Sequence, residues 1–202
     1  MSEGAAPEEL ARANVYGLIA RLFYAAPDAQ LLAELLHAPH AEAEGTPTAL
    51  GKEYTAAWQA LVGACGDAYP VVLENEHTDL FAAPGKTEVT PYLFNYVMRY
   101  SSETPLVGLR AQLAQWQLGR RGDANEPEDH IAGLCDVMRI AIAVQQRSLE
   151  EQKQFFLHFL HPGAVPFCSA VSASPNAHFY RRVARFAKAF LDVEHEAFAT
   201  LG

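Results

Sequence analysis

Glu126-Pro127-Glu128-Asp129-His130-Ile131-Ala132 is the stretch on which the reading of this chain turns. A polar linker runs into it, and a strongly amphipathic helix runs out of it. Pro127 fits a first helical turn, where its missing N–H is not needed. Glu126, Glu128 and Asp129 then put negative charge where a helix dipole is positive and N–H groups lack partners. Behind them Ile131, Leu134, Cys135, Met138 and Ile142 recur at i, i+3, i+4, i+7 and i+11, which makes one buried face. The plainest reading is a well-capped helix. On that reading Asp129→Ala costs about 0.5–2 kcal/mol and His130→Ala costs little.

The same periodicity extends outward in both directions. Upstream, Thr104 caps and Pro105 opens a helix carrying Leu106, Leu109, Leu113 and Trp116, with Gly119 as its stop. Arg120 to Asn125 is polar, holds Gly122 and is the best candidate hinge. The expected organisation is therefore residues 1–119 as an N-terminal helical part, 120–128 as linker and 129–202 as a C-terminal part of one domain. Downstream, Ser148-Leu149-Glu150-Glu151 is a capping box opening a helix through Leu160. His161 to Ala173, with Pro162, Gly163 and Pro166, reads as irregular. Ser174 and Pro175 are expected to start the last helix, with Phe179, Val183, Phe186 and Phe190 on one face.

Nearer the N-terminus, Pro7 to Tyr24 is helical, and Asp28 caps a short helix with Leu31, Leu32, Leu35 and Leu36. Thr46 and Pro47 are expected to open a helix that ends at Gly66. Tyr69 to Leu73 reads as an extended connector and Glu74 to Phe81 as a short helix. Tyr92, Phe94, Tyr96 and Tyr100 form an aromatic run. Such a run is either core packing or the wall of a peptide groove. With no alternating strand pattern, the expected fold is all-α: a single compact helical domain of roughly seven to nine helices with a hinge near the middle.

Composition narrows the function. In 202 residues, half are apolar and the net charge is −9, which argues against nucleic acid as the main partner and suits a basic one. Cys65, Cys135 and Cys168 lie far apart, and the first two fall on apolar faces, as buried thiols in a reducing compartment do. Residues 1–9 lack the basic start and apolar run of a secretory signal, and no apolar segment is expected to approach the roughly 18–20 residues of a membrane span. A cytoplasmic protein is expected.

Chemistry is sparse. Pro84-Gly85-Lys86-Thr87 has the end of a phosphate loop, but Leu80 stands where its first glycine belongs. His158 and His161, like His37 and His40, lack further ligands at metal spacing. Asp129 and His130 are adjacent, and neighbours in a helix point about 100° apart, a poor acid–base geometry. No catalytic residue, metal or cofactor is expected. The competing possibility is a small helical metal-binding protein or enzyme using His130, Asp129 and Glu126.

A resemblance adds to this. Glu-Pro-x-Asp-His-Ile-Ala at 126–132, with Met138 behind it, resembles the signature of the TorD/DmsD/NarJ-type redox-enzyme maturation chaperones. Tyr16 with Leu22-Phe23 is similar to that family's opening helix. Asp79-Leu80-Phe81 with Pro84-Gly85 resembles its Leu-Phe…Gly-Pro loop, and Pro91-Tyr92 the start of its Pro-Tyr-Glu-Ser segment. Phe156, His158-Phe159-Leu160 and Phe179-Tyr180 resemble its C-terminal helices. Leu93-Phe94 replaces the family's Glu-Ser, and Leu134-Cys135 its Glu-Leu. The resemblance implies a cytoplasmic chaperone that binds the twin-arginine signal peptide or N-terminal region of an apo molybdenum oxidoreductase catalytic subunit. It would assist cofactor insertion and assembly before export, as a monomer or an exchange dimer. It also implies that Asp129 and His130 contact the peptide or fix its groove. Glu126 and Pro127 would set the hinge, and Phe81, Pro91 and Tyr92 would line the site.

Overall fold

The computed structural model describes residues 6–38, 48–82, 87–97, 105–119 and 128–200. Among them run nine helices: α1 (Pro7–Tyr24), α2 (Ala29–Leu36), α3 (Ala49–Cys65), α4 (Pro70–His77), α5 (Phe94–Val97), α6 (Pro105–Gln115), α7 (Ile131–Ala143), α8 (Leu149–Ala173) and α9 (Phe179–Thr200). The only extended pairing among the described residues is an isolated bridge. The fold is all-α, as the periodicity requires.

The chain divides into two units, each drawn from two separate stretches. The first takes Met1–Tyr24 and Pro91–Ala164; the second takes Ala25–Thr90 and Val165–Gly202. This division differs from the linear one suggested by the polar linker, whose residues 120–127 lie outside the described residues.

In the first unit α1 packs chiefly along α7. Tyr16, Ile19, Leu22 and Phe23 meet the stripe Ile131, Leu134, Cys135, Met138 and Ile142, and all of these side chains are fully buried. Trp116 stacks on Phe155 at 5.2 Å, and the Arg147 guanidinium lies 5.3 Å from the Trp116 ring. In the second unit α9 packs chiefly along α3, where Tyr54 and Trp58 bracket Phe186 at 5.6 and 5.2 Å.

Two helix starts have their caps where the sequence puts them. Asp28 accepts from the Leu31 N–H at 2.7 Å, and Ser148 and Glu151 form the reciprocal box. Other boundaries differ. Thr48, not Thr46, caps α3 by accepting from the Gly51 N–H; Thr46, Pro47 and Thr104 lie outside the described residues. Tyr69 to Leu73 is not a connector: Tyr69 alone is extended, as a residue before proline must be, and Pro70 opens α4. Val71 and Val72 are exposed on that helix, so their β-branching marks no strand. α4 then passes into a π turn, Thr78–Ala82, that buries Leu80 and Phe81. α6 stops before Gly119, with Gln117 in the left-handed region at φ 56°.

Two further corrections concern the C-terminal third. Residues 161–173 are helical despite Pro162 and Pro166. A π turn, Phe156–Leu160, precedes them, and the His161 N–H bonds five residues back to the Phe156 carbonyl. That widened turn shifts the carbonyl a proline ring at 162 would otherwise strike. α8 consequently has the length and composition to cross a membrane, unlike any segment picked out in the sequence. Here Phe155, Phe156, Leu160, Phe167 and Val171 are buried inside the protein.

The last helix does not begin at Ser174 and Pro175. Ser174 Oγ accepts from the Asn176 N–H and donates to Glu88, making a turn, and α9 starts at Phe179. Its free N–H groups are met by Glu76 of α4. One carboxylate oxygen accepts from the His178 and Tyr180 N–H groups at 2.7 and 2.9 Å, the other from the Phe179 N–H at 3.2 Å. Glu76→Ala is expected to lower stability by about 1–2 kcal/mol, the cost of a lost cap, measured by urea unfolding. An unchanged midpoint would show that α9 does not depend on this carboxylate.

Candidate peptide-binding site

Four of the residues singled out in the sequence converge in the first unit. Pro91-Tyr92-Leu93 runs antiparallel to Asp129-His130-Ile131, bridged at Tyr92 and His130. The Leu93 N–H donates to the Asp129 carbonyl at 2.9 Å, and the Ile131 N–H donates to the Pro91 carbonyl at 3.0 Å. The second bond satisfies an N–H that the first residue of α7 cannot satisfy within the helix.

α7 does not start in the acidic run. Glu128 and Asp129 form a turn ahead of it, and His130, at φ −63° and ψ 134°, is the N-cap. His130 Nδ1 accepts from the Ala132 N–H at 3.1 Å. An imidazole accepting at Nδ1 carries its ring proton on Nε2. The ring is buried, edge-on to Tyr92 with centroids 5.7 Å apart. The capping role assigned to Asp129 thus belongs to His130.

Asp129 serves the other strand of the bridge. Its Oδ2 accepts from the Phe94 N–H at 3.2 Å, at the start of α5. The carboxyl is buried, and its pKa is raised above the ordinary aspartate value. Burial is the main cause. The Phe94 and Asp129 backbone N–H groups oppose it, and the neighbouring Glu128 charge adds to it. Glu128 itself pairs with Arg110 of α6 at 3.1 Å.

Gly163 of α8 lets the bridge sit where it does. A Cβ there would lie 2.5 Å from the Leu93 carbonyl oxygen, inside any permitted contact. Neither Gly163 nor the backbone of Leu93 and Phe94 is visible as part of a site in the sequence. The one signal was a glycine standing between Pro162 and Pro166.

The remaining expected residues lie elsewhere. Phe81 is buried in the second unit, with His77, Phe167 and Tyr180 at 5.3, 6.0 and 5.2 Å between ring centroids. Glu126 and Pro127 fall outside the described residues. The aromatic run divides: Phe94 is core, Tyr92 and Tyr96 are half-buried, and Tyr100 lies outside the described residues. Cys65, Cys135 and Cys168 are buried free thiols, and burial pushes Cys65 up to about 11 and Cys168 up to about 12. Among the described residues no group of three His, Cys, Asp or Glu side chains is arranged to hold a metal.

The raised pKa of Asp129 fixes the sign of a pH effect. Folding favours its protonated form, so its contribution is full below the unfolded pKa and is lost as pH rises through the folded one. Asp129→Asn abolishes that titration and keeps an acceptor for the Phe94 N–H. The stability of the native chain relative to Asp129→Asn should therefore fall as pH rises through and above the ordinary aspartate range. Denaturant unfolding of both proteins across that range checks it; a difference that grows with pH would reverse the assignment. His130→Ala should cost about 0.5–2 kcal/mol by loss of the cap.

Comparison with known proteins follows the same lines. Residues 47–169 match the protein family described as nitrate reductase delta subunit. The chain is also 30% identical, over 205 aligned positions, to the chaperone protein TorD of Shewanella loihica, covering 95% of this chain and 94% of that protein. A family match over more than half of the chain, and a relative aligned over nearly all of it, agree with the 126–132 signature and the helical fold: the chain belongs to the TorD/DmsD/NarJ-type family of molybdoenzyme maturation chaperones, which are not enzymes.

Proposed function

We propose that this chaperone holds the signal peptide or N-terminal region of an apo molybdenum oxidoreductase catalytic subunit against the Tyr92–His130 bridge. It acts in the cytoplasm, assisting cofactor insertion and assembly before a twin-arginine client is exported. The observation that carries this reading is the bridge itself. It gathers a buried carboxylate, a capping imidazole and a half-buried tyrosine at one place in the first unit. In support, Asp129 holds the Leu93 and Phe94 N–H groups, and the His130 ring, besides capping α7, lies edge-on to Tyr92.

A twin-arginine signal joins a basic start to an apolar core. Asp129 supplies an anionic partner for a guanidinium, a bond stronger than a neutral one. Tyr92 supplies an amphipathic surface for the apolar part, and Pro91 fixes the backbone beside it. Within this reading Phe81 supports the second unit from inside, and Glu126 and Pro127 belong to the hinge. The alternative, a metal-binding protein or enzyme built on Glu126, Asp129 and His130, fits less well. Asp129 Oδ2 and His130 Nδ1 already accept from backbone N–H groups.

The test is affinity for a twin-arginine signal peptide alongside stability, on Asp129→Asn and Tyr92→Ala. Binding should weaken at least several-fold in both while Asp129→Asn is at least as stable as the native chain at neutral pH. Affinity should also fall moderately with salt, since the apolar contact is unscreened. Unchanged affinity in Asp129→Asn would sink the site.

Segment 120–128 is further proposed as the hinge through which C-terminal helices move or exchange between chains. Monomer and dimer of equal helix content, interconverting slowly, are the expected result of size-exclusion runs over a wide concentration range. A single species throughout would count against exchange.

A further inference from the structure

The second unit carries a groove of about 630 Å³ between α3 and α9 whose charge is opposite to that of the chain. Its α3 side offers Ala56, Ala57 and Ala60, and its α9 side offers Arg181, Arg182, Arg185 and Lys188. Glu53 is the one acidic side chain lining it, against a net charge of −9 for the whole protein. Little of this positive charge is neutralised within the fold. Lys188 pairs with Asp192 at 2.7 Å. Arg182 is exposed and donates to the His178 carbonyl, and Arg185 is exposed with no ion-pair partner among the described residues. Arg181 donates one terminal N–H to the Ser174 carbonyl, while its buried Nε has no hydrogen-bond acceptor.

We propose that this groove docks an acidic helical segment of a protein partner. The cations fall at i, i+1, i+4 and i+7 along α9, a row of about 10 Å at helical rise. That is the repeat an opposing helix with carboxylates at i, i+4 and i+7 presents. The alanine side of the groove lets a helix backbone come close, since interaxial distance follows side-chain size. A single phosphate would meet only one or two of these guanidinium groups. A nucleic-acid strand would meet a protein of net −9 beyond the groove, which repels a polyanion. The inference is independent of the signal-peptide reading, because it concerns the other unit and a ligand of opposite charge.

The experiment uses the full chain and a fluorescent alanine-based peptide of about 16 residues with glutamates at i, i+4, i+7 and i+11. Controls are the same peptide with lysines for glutamates, inorganic tripolyphosphate and a single-stranded oligouridylate. The glutamate peptide should bind saturably and at least about tenfold more tightly than its lysine counterpart. R182E/R185E should weaken it at least about tenfold, R185E alone about threefold, and E53Q should tighten it. Both arginines are exposed, so far-UV circular dichroism should not change. Equal binding of the two peptides, or indifference to R182E/R185E, would overturn the proposal. So would tighter binding of tripolyphosphate or oligouridylate through the same arginines.

Discussion

Two backbone hydrogen bonds, exchanged between residues 91–93 and 129–131, fix where α7 begins. Each contributes only about 1 kcal/mol net. Leaving a buried N–H or carbonyl unpaired costs more than forming the bond gains, so the pairing acts as a constraint. From it follow the register of the α7 stripe against α1 and the start of α5 beneath the Asp129 carboxylate. The absence of a side chain at 163, where α8 meets the Leu93 carbonyl, belongs to the same arrangement.

The same requirement, that exposed helix starts find acceptors, separates what could be read in the sequence from what could not. Asp28 and Ser148 are caps a few residues from the N–H groups they serve, and both were legible. Glu76 serves N–H groups about a hundred positions away, and no local pattern announces it. The prolines misled for a related reason. Pro70 stood in what reads as an extended connector and is a first-turn residue, while Pro162 and Pro166 stood in what reads as irregular chain and lie in a helix. The π turn that admits Pro162 is a backbone adjustment without a composition signal. Apolar periodicity survived throughout, because burial depends on spacing and spacing is written in the chain.

The candidate site was legible as residue types and opaque as geometry. Asp129, His130, Pro91 and Tyr92 stood out by resemblance, yet the division of labour between Asp129 and His130 was reversed. Adjacent residues are hard to rank as caps because one peptide unit decides which is extended and which begins the helix. Leu93 and Phe94, apparent departures from the family pattern, take part through backbone N–H groups, which any residue but proline supplies.

The interleaving of the two units carries a consequence for how the chain is made. The first unit closes on residues up to Ala164, so its segments have all been synthesised before α9 exists. The second unit waits, because Ala25–Thr90 lacks its central partner until Val165–Gly202 emerges. During that interval α3 presents its apolar face, including Tyr54 and Trp58, without Phe186 to cover it. Loop-closure entropy over such a separation grows only slowly with length, so the delay is set by translation and not by the search. A protein whose task is to shelter unfinished chains passes through an unfinished state of its own, ended only by its last helix.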